Sequence, residues 1–252
     1  MKIITVLTDV DHEDFNNFLK PSCHFHNLDL VVLEAAGGYT SHRIKDRMLR
    51  AYLNKLNDDE IIFFTDAYDA FFLSGEEEAI KKFLNFRAPL VFSSEINCWP
   101  SPELQKDYPP SSHHFNYLNC GAFIGYNWFL KDIYKNYPVD SFASDQYEWS
   151  NQYYWHKVHL QHEGDIRIDY DCELFYNTSM PLERSRLVTG EDEADRDLLF
   201  EELNRLANEI TFFGNRVQYN QTRTFPVHIH FPGPLSKSIM RDGHFRALKN
   251  WI

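Results

Sequence analysis

Short apolar runs alternate with amphipathic stretches through the first hundred residues. Runs at 3–7, 28–33, 61–64 and 90–93 are apolar at successive positions, the pattern of strands covered on both faces. Between them lie helical patterns. A short one spans 14–19. In 41–56, Ile44, Met48, Tyr52 and Leu56 recur every four residues, with Ser41 in the N-cap position. The segment 76–86 opens on three glutamates, favourable at a helix N-terminus, and offers Ile80, Phe83 and Leu84 for burial. Strand, helix, strand, helix predicts an α/β fold with a mostly parallel, doubly wound sheet. The second half is less regular. Pro100, Pro102, Pro109 and Pro110 break a loop, a strand follows at 123–126, and helices are expected at 128–136 and 145–156. A short strand at 166–168, a charged, exposed helix at 190–208 filling an insertion, and strands at 210–213, 217–219 and 227–229 complete the pattern. One domain is expected over 1–252, with a nucleotide-binding half near 1–100 and an acceptor-binding half near 101–252.

Composition narrows the function. The 252 residues include 21 Phe, 14 Tyr and 5 Trp, which excludes a disordered chain. No apolar run reaches the ~18 residues of a membrane span. The net charge of −12 argues against nucleic acid and anionic membranes as partners. An anionic ligand would need locally supplied positive charge. Cys23, Cys98, Cys120 and Cys172 form no Cys-x-x-Cys pair, and 3–7 is too short for a signal-peptide core. Reduced thiols and a cytoplasmic location are therefore expected.

The stretch Phe63-Phe64-Thr65-Asp66-Ala67-Tyr68-Asp69 places two aspartates at the carboxyl end of an apolar strand, where α/β sheets bind ligands. Two carboxylates so spaced can share a hard divalent cation, and carboxylates among apolar neighbours need such a partner. Near the other end, His228 and His230 alternate onto one strand face, and either can add a nitrogen ligand. That mixed donor set suits Mn²⁺ better than Mg²⁺ or Ca²⁺, which prefer oxygen alone. In Leu118-Asn119-Cys120-Gly121-Ala122-Phe123-Ile124-Gly125, the Asn119 amide can bind hydroxyls, and the glycines allow close backbone approach. Trp149, Tyr153, Tyr154 and Trp155 suit either an acceptor or homodimer contact, or one packed helix face.

An ordered series of motifs then resembles the glycosyltransferase domain of the procollagen lysyl hydroxylases. It runs Ile4-Thr5-Val6 and Thr8, Lys45 and Arg47, Phe64 to Asp69, Phe92-Ser93-Ser94-Glu95, Cys98-Trp99-Pro100, Leu118 to Gly125, Asp145-Gln146, Asp169, and His230 with Gly233-Pro234. As a stand-alone unit the chain looks like the giant-virus type of that domain.

The resemblance implies a GT-A, Rossmann-type transferase that moves glucose from UDP-glucose to galactosylhydroxylysine of collagen or a collagen-like protein. Mn²⁺ is its implied cofactor, with Asp66, Asp69 and His230 as ligands. Thr8, Lys45, Tyr68, Gly233 and Lys237 would lie near UDP, with Tyr68 able to stack on uracil. Glu95, Trp99, Asn119, Asp145 and Gln146 would surround the sugar and acceptor. The product linkage implies retention of configuration, with Asp145 first and Glu95 second as the carboxylate near the anomeric carbon. The chain departs from the family at Phe231-Pro232, at Ser141 to Asp145 and at Tyr39 to Arg43, positions that bear on acceptor choice. A UDP-galactose-dependent hydroxylysine transferase, a glycoside hydrolase and a non-catalytic sugar- or collagen-binding module are the alternatives.

Overall fold

The computed structural model describes residues 1–142, 146–162, 164–182 and 193–241. Its centre is a six-stranded sheet of β1 (Lys2–Leu7), β2 (Leu30–Glu34), β3 (Ile61–Thr65), β5 (Leu90–Glu95), β6 (Tyr117–Tyr126) and β7 (Ile166–Ile168), in the order β2-β1-β3-β6-β5-β7. β6 runs antiparallel to both its neighbours, and the other strands share one direction. The expected mostly parallel sheet is therefore present.

Strand alternation splits the core in two. Ile4, Ile62, Phe64, Phe92 and Phe123 point to one face, under α2 (Ile44–Leu53), α4 (Asn127–Asn136) and α5 (Asn151–His159). Ile3, Phe63, Val91 and Ile124 point to the other, under α1 (Lys20–Phe25), the π-helical turn Phe15–Leu19 before it, and α3 (Glu76–Asn85). Each such buried apolar side chain contributes ~1.5–3 kcal/mol. Helices thus cover both faces. The π turn has a local cause: Pro21 has no N–H to donate to the carbonyl four residues back.

A second, three-stranded sheet was not anticipated. β4 (Ala70–Phe72) pairs antiparallel with β11 (His228–His230), which pairs in parallel with β8 (Phe175–Asn177). A hairpin of β9 (Ile210–Phe213) and β10 (Arg216–Tyr219) turns on Gly214, whose φ of +61° suits glycine. The last helices are α6 (Glu193–Glu209) and α7 (Pro234–Arg241). Among the described residues, no helix is long and apolar enough to cross a membrane.

Several local expectations need correction. Run 28–33 forms an edge strand, so Val32 is exposed instead of covered. Ser41 does not cap α2 with its side chain; the helix starts at Ile44, on a turn closed by the Ile44 N–H to the Ser41 carbonyl. The row Ile44, Met48, Tyr52 and Leu56 only flanks the buried stripe, whose centre is Asp46, Leu49 and Leu53. In α3, Ala79 and Phe83 are buried, while Ile80 is half-buried and Leu84 is exposed. The helix expected from 145 begins at Asn151, because the Ser150 hydroxyl accepts the Tyr153 N–H and sets the cap there. Tyr153, Tyr154 and Trp155 are buried on that helix, which leaves only Trp149 of the four aromatics exposed. The charged segment near 190–208 is helical from Glu193, yet it buries Leu206 and Glu202 instead of lying free. All four cysteines are free and buried.

Candidate active site

Asp66 follows the last residue of β3, and its N–H is held by the Gly121 carbonyl at 2.8 Å. Three residues on, Asp69 immediately precedes β4, which pairs Ala70 with His230 of β11. The Asp69 carbonyl also accepts the Phe231 N–H at 2.7 Å. The small sheet therefore carries the C-terminal histidine onto the mid-chain carboxylates. His228 and His230 share a face, as alternation required, but at different depths. His228 is fully buried among Phe63, Phe72 and Phe175, with Nε2 2.8 Å from the Thr65 hydroxyl. His230 alone reaches the aspartates.

Each aspartate divides its oxygens. Asp66 gives Oδ1 to the Lys45 ammonium (2.5 Å) and turns Oδ2 toward His230 Nε2 (3.8 Å). Asp69 gives Oδ2 to Lys237 (3.2 Å) and turns Oδ1 toward the same nitrogen (3.6 Å). Burial opposes ionisation of Asp69, yet His230, Lys237 and Lys45 together hold its pKa well below the usual carboxylate range. Burial likewise opposes charge on Lys45, and the Asp66 carboxylate outweighs it and keeps the ammonium charged.

The proton of His230 is fixed from behind. Asn119 Oδ1 accepts the Gly121 N–H at 2.9 Å, so its oxygen, not its amide nitrogen, faces His230 Nδ1 at 3.2 Å. The histidine must then donate from Nδ1, which leaves Nε2 facing the carboxylates. Nε2 is buried with no hydrogen-bond partner. A buried ring nitrogen without a partner, opposite two carboxylate oxygens, is costly unless a cation lies between them. The donor atoms lie within 4.8 Å of one another, the spacing ligands need to share one ion. Two hard oxygens and a neutral imidazole fit a divalent transition cation. Among the described residues, no other group of three or more His, Cys, Asp or Glu is arranged to share an ion.

The strand pairing explains Asn119 and Gly121. The register of β6 against β5 slips between Phe92 and Ser93, so that Phe92 faces Phe123 but Ser93 faces Asn119. Such a bulge re-aims side chains beside a site. A Cβ on Gly121 would lie 2.2 Å from His230 Cε1. The close approach expected of this glycine is thus to the histidine ring.

Two adjoining cavities flank the cluster, of about 400 and 310 Å3, sharing His42, Lys45, Asp66, Asp69 and Lys237 as a common wall. Thr8 and Tyr68 line the smaller one. The Tyr68 hydroxyl accepts the Thr8 and Asp9 N–H groups at 3.0 and 2.9 Å, and His12 lies 4.1 Å from its ring, so one ring face is already taken. Glu95, Trp99, Asn119 and Gly233 line the larger one. Gly233 has a φ of +85°, which a side chain would strain, and it leads into α7, on which Lys237 stands.

Burial pushes the Glu95 carboxyl up to about 8, although Gln152 and Asn119 hydrogen bonds pull the other way. Below that pH it is mostly protonated. Asp145 lies outside the described residues, and neighbouring Gln146 is exposed. The cleft instead receives Asn151 and Gln152 from the start of α5. Gln152 donates to Glu95 and, at 3.1 Å, to the Trp99 carbonyl, and accepts the Cys120 N–H at 3.3 Å. Sequence reading missed Gln152. Its signal was a polar pair between the Ser150 cap and the apolar run Tyr153-Tyr154-Trp155. Asp169 anchors a loop, accepting the Glu173, Leu174 and Phe175 N–H groups.

Comparison with known proteins finds relatives of nearly the whole chain. A protein of Acanthamoeba polyphaga mimivirus, itself uncharacterized, is 29% identical over 241 residues, covering 88% of this chain and 44% of that one. The multifunctional procollagen lysine hydroxylase and glycosyltransferase LH3 of Pongo abelii is 29% identical over 266 residues, covering 99% of this chain and 32% of that one. The chain therefore spans less than half the length of these relatives. Among solved structures, a glycosyltransferase involved in the glycosylation of the major capsid of PBCV-1 aligns with a TM-score of 0.49 at 9% identity, over 96% of this chain and 98% of that one. The model of one family, the PLOD GT domain, matches residues 1–243, and the chain belongs to that family of glycosyltransferase domains.

Proposed function

We propose that the protein transfers glucose from UDP-glucose to galactosylhydroxylysine of collagen or a collagen-like polypeptide, in a GT-A arrangement, with Mn²⁺ held by Asp66, Asp69 and His230. The observation that carries this reading is the buried Nε2 of His230, without a hydrogen-bond partner and set opposite one oxygen of each aspartate. A bound Mn²⁺ would act as a Lewis acid toward the diphosphate leaving group. The chain's residues do the rest. Lys45 and Lys237, on either side of the carboxylates, set two positive charges where the diphosphate gathers negative charge, which a −12 chain otherwise disfavours. Thr8 and Tyr68 bound the nucleotide chamber, and Gly233 lets the chain turn into the helix that carries Lys237.

In the larger chamber, Asn119, Trp99 and Glu95 hold the sugar and acceptor. Glu95, protonated at neutral pH, serves as a hydrogen-bond donor to a sugar hydroxyl rather than as a nucleophile. Asp145 is retained as a carboxylate near the anomeric carbon. The sugar–phosphate bond breaks as the acceptor oxygen bonds to the anomeric carbon, and the departing phosphate oxygen takes the acceptor's proton.

Calorimetric titration of UDP with and without Mn²⁺ tests the cation site. Asp66→Ala and His230→Ala should lose the Mn²⁺-dependent gain in affinity. His228→Ala should keep it and lose about 2–4 kcal/mol of stability, as expected for emptying a buried ring site. Retained Mn²⁺-dependent binding in Asp66→Ala would sink the metal assignment. Product analysis with both donors tests the sugar: transfer from UDP-galactose to bare hydroxylysine would replace the donor. UDP binding without transfer would leave a binding module.

A further inference from the structure

His42, Trp99 and Trp149 come from three separate segments, yet their rings close into a triangle. Centroids lie 6.1 Å apart for His42 and Trp99, 5.5 Å for His42 and Trp149, and 5.5 Å for Trp99 and Trp149. The interplanar angles are 71°, 55° and 70°. His42 and Trp99 line the larger chamber, and Trp149, 38% exposed, rests on both of them.

The triangle is fastened from below. Arg43, buried beside His42, donates to the carbonyls of Val139, Ser141 and Ser150 at 2.5, 2.8 and 3.1 Å. The residue after His42 is thus bonded to the residue after Trp149, and the wall is set before any ligand arrives, which lowers the entropy cost of binding.

The same chamber carries the amides of Asn97, Asn119 and Gln152. Ring faces beside convergent amides match a carbohydrate, whose C–H face is apolar and whose hydroxyls need partners. We infer that Trp149, backed by Trp99 and His42, is the platform for the acceptor's own pyranose, a galactosyl unit. This rests on the sugar-transfer reading above. Galactose presents three C–H groups on one face, which suits a flat indole. Of the three rings only His42 also borders the nucleotide chamber, so the Trp99 and Trp149 part of the wall lies away from the nucleotide. An ammonium ion fits the wall poorly. The rings touch one another and enclose no space for it.

Trp149→Ala in the Mn²⁺-loaded protein should raise the KM for a galactosylhydroxylysine peptide roughly tenfold or more. Acceptor-free hydrolysis of UDP-glucose should stay unchanged, and Trp149→Phe should recover most of the loss. An unchanged acceptor KM would overturn the inference, and so would equal loss of donor hydrolysis, which means a purely structural role. A wild type that transfers no sugar would fail the earlier reading instead. The platform is then decided by titrating methyl β-galactoside and following the Trp149 indole N–H resonance, assigned by its loss in Trp149→Phe. A saturable shift supports it, and an unmoved resonance ends it.

Discussion

On the proposed reading, His230 can offer Nε2 to a cation only because the Asn119 oxygen takes the N–H of Nδ1. Were the tautomer reversed, an N–H would point at the cation position and the cluster would bind nothing. Asn119→Ala removes that constraint without touching a ligand. Affinity for Mn²⁺ should fall about 10–100-fold, the usual cost of losing a partner that orients a ligand, while UDP-independent folding is preserved. Direct Mn²⁺ titration checks this, and an unchanged Kd would show that something else holds the ring. At this scale the sequence was partly legible. Asp66, Asp69, Lys45 and Glu95 all line the cleft, and the choice of His230 over His228, open to strand alternation, came from resemblance. Gln152 stayed hidden because a polar residue in an aromatic helix reads as a solvated position until its neighbours across the fold are known.

The apolar runs of the first half were the most legible elements. Those at 3–7, 61–64 and 90–93 became β1, β3 and β5, because such a run between helical patterns has few other fates. Of the strands that build the site, His228–His230 overlaps the run expected at 227–229, whereas Ala70–Phe72, three residues long, offers no period to read. Nor does a bulge announce itself, since it depends on two strands at once. Helix α2 shows a cost hidden in its stripe. Asp46 is buried and accepts the Tyr134 hydroxyl of α4 (2.9 Å) and the Trp155 indole of α5 (2.8 Å), and its other oxygen has no partner. Burial raises its pKa to about 6, so the folded state favours the protonated acid. The folded state then binds more protons than the unfolded chain between about pH 4 and 6. Stability from this group is present below that window and lost as pH rises through it. Asp46→Asn should therefore raise stability by up to about 2–3 kcal/mol at pH 8 and change little at pH 4. Denaturant titrations at the two pH values decide it; equal shifts at both would refute the assignment.

Across the whole molecule, net charge and local charge point in opposite directions. The chain carries −12, yet the two chambers meet where Lys45 and Lys237 balance Asp66 and Asp69. A divalent cation added there leaves a net positive spot in an acidic protein, a local attraction for a nucleotide diphosphate. Because Asp66 follows β3, Asp69 precedes β4 and His230 ends β11, a cation shared by the three would also tie the two sheets together. Saturating Mn²⁺ should stabilise the fold by about 3 kcal/mol at a hundredfold excess over Kd. A thermal melt should show the gain in the wild type and not in Asp69→Ala. No gain in the wild type would mean that the three side chains do not act together. The meeting of the two sheets was the least legible part of the fold, since it depends on contacts between distant stretches of chain.

The pairing of Ala70 with His230 carries a consequence for biosynthesis. A ribosome translates the long sheet and both aspartates well before it reaches the histidine. A chain cut just upstream of residue 228 would keep the strands of the long sheet and both aspartates but lack the strand that brings His230 to them.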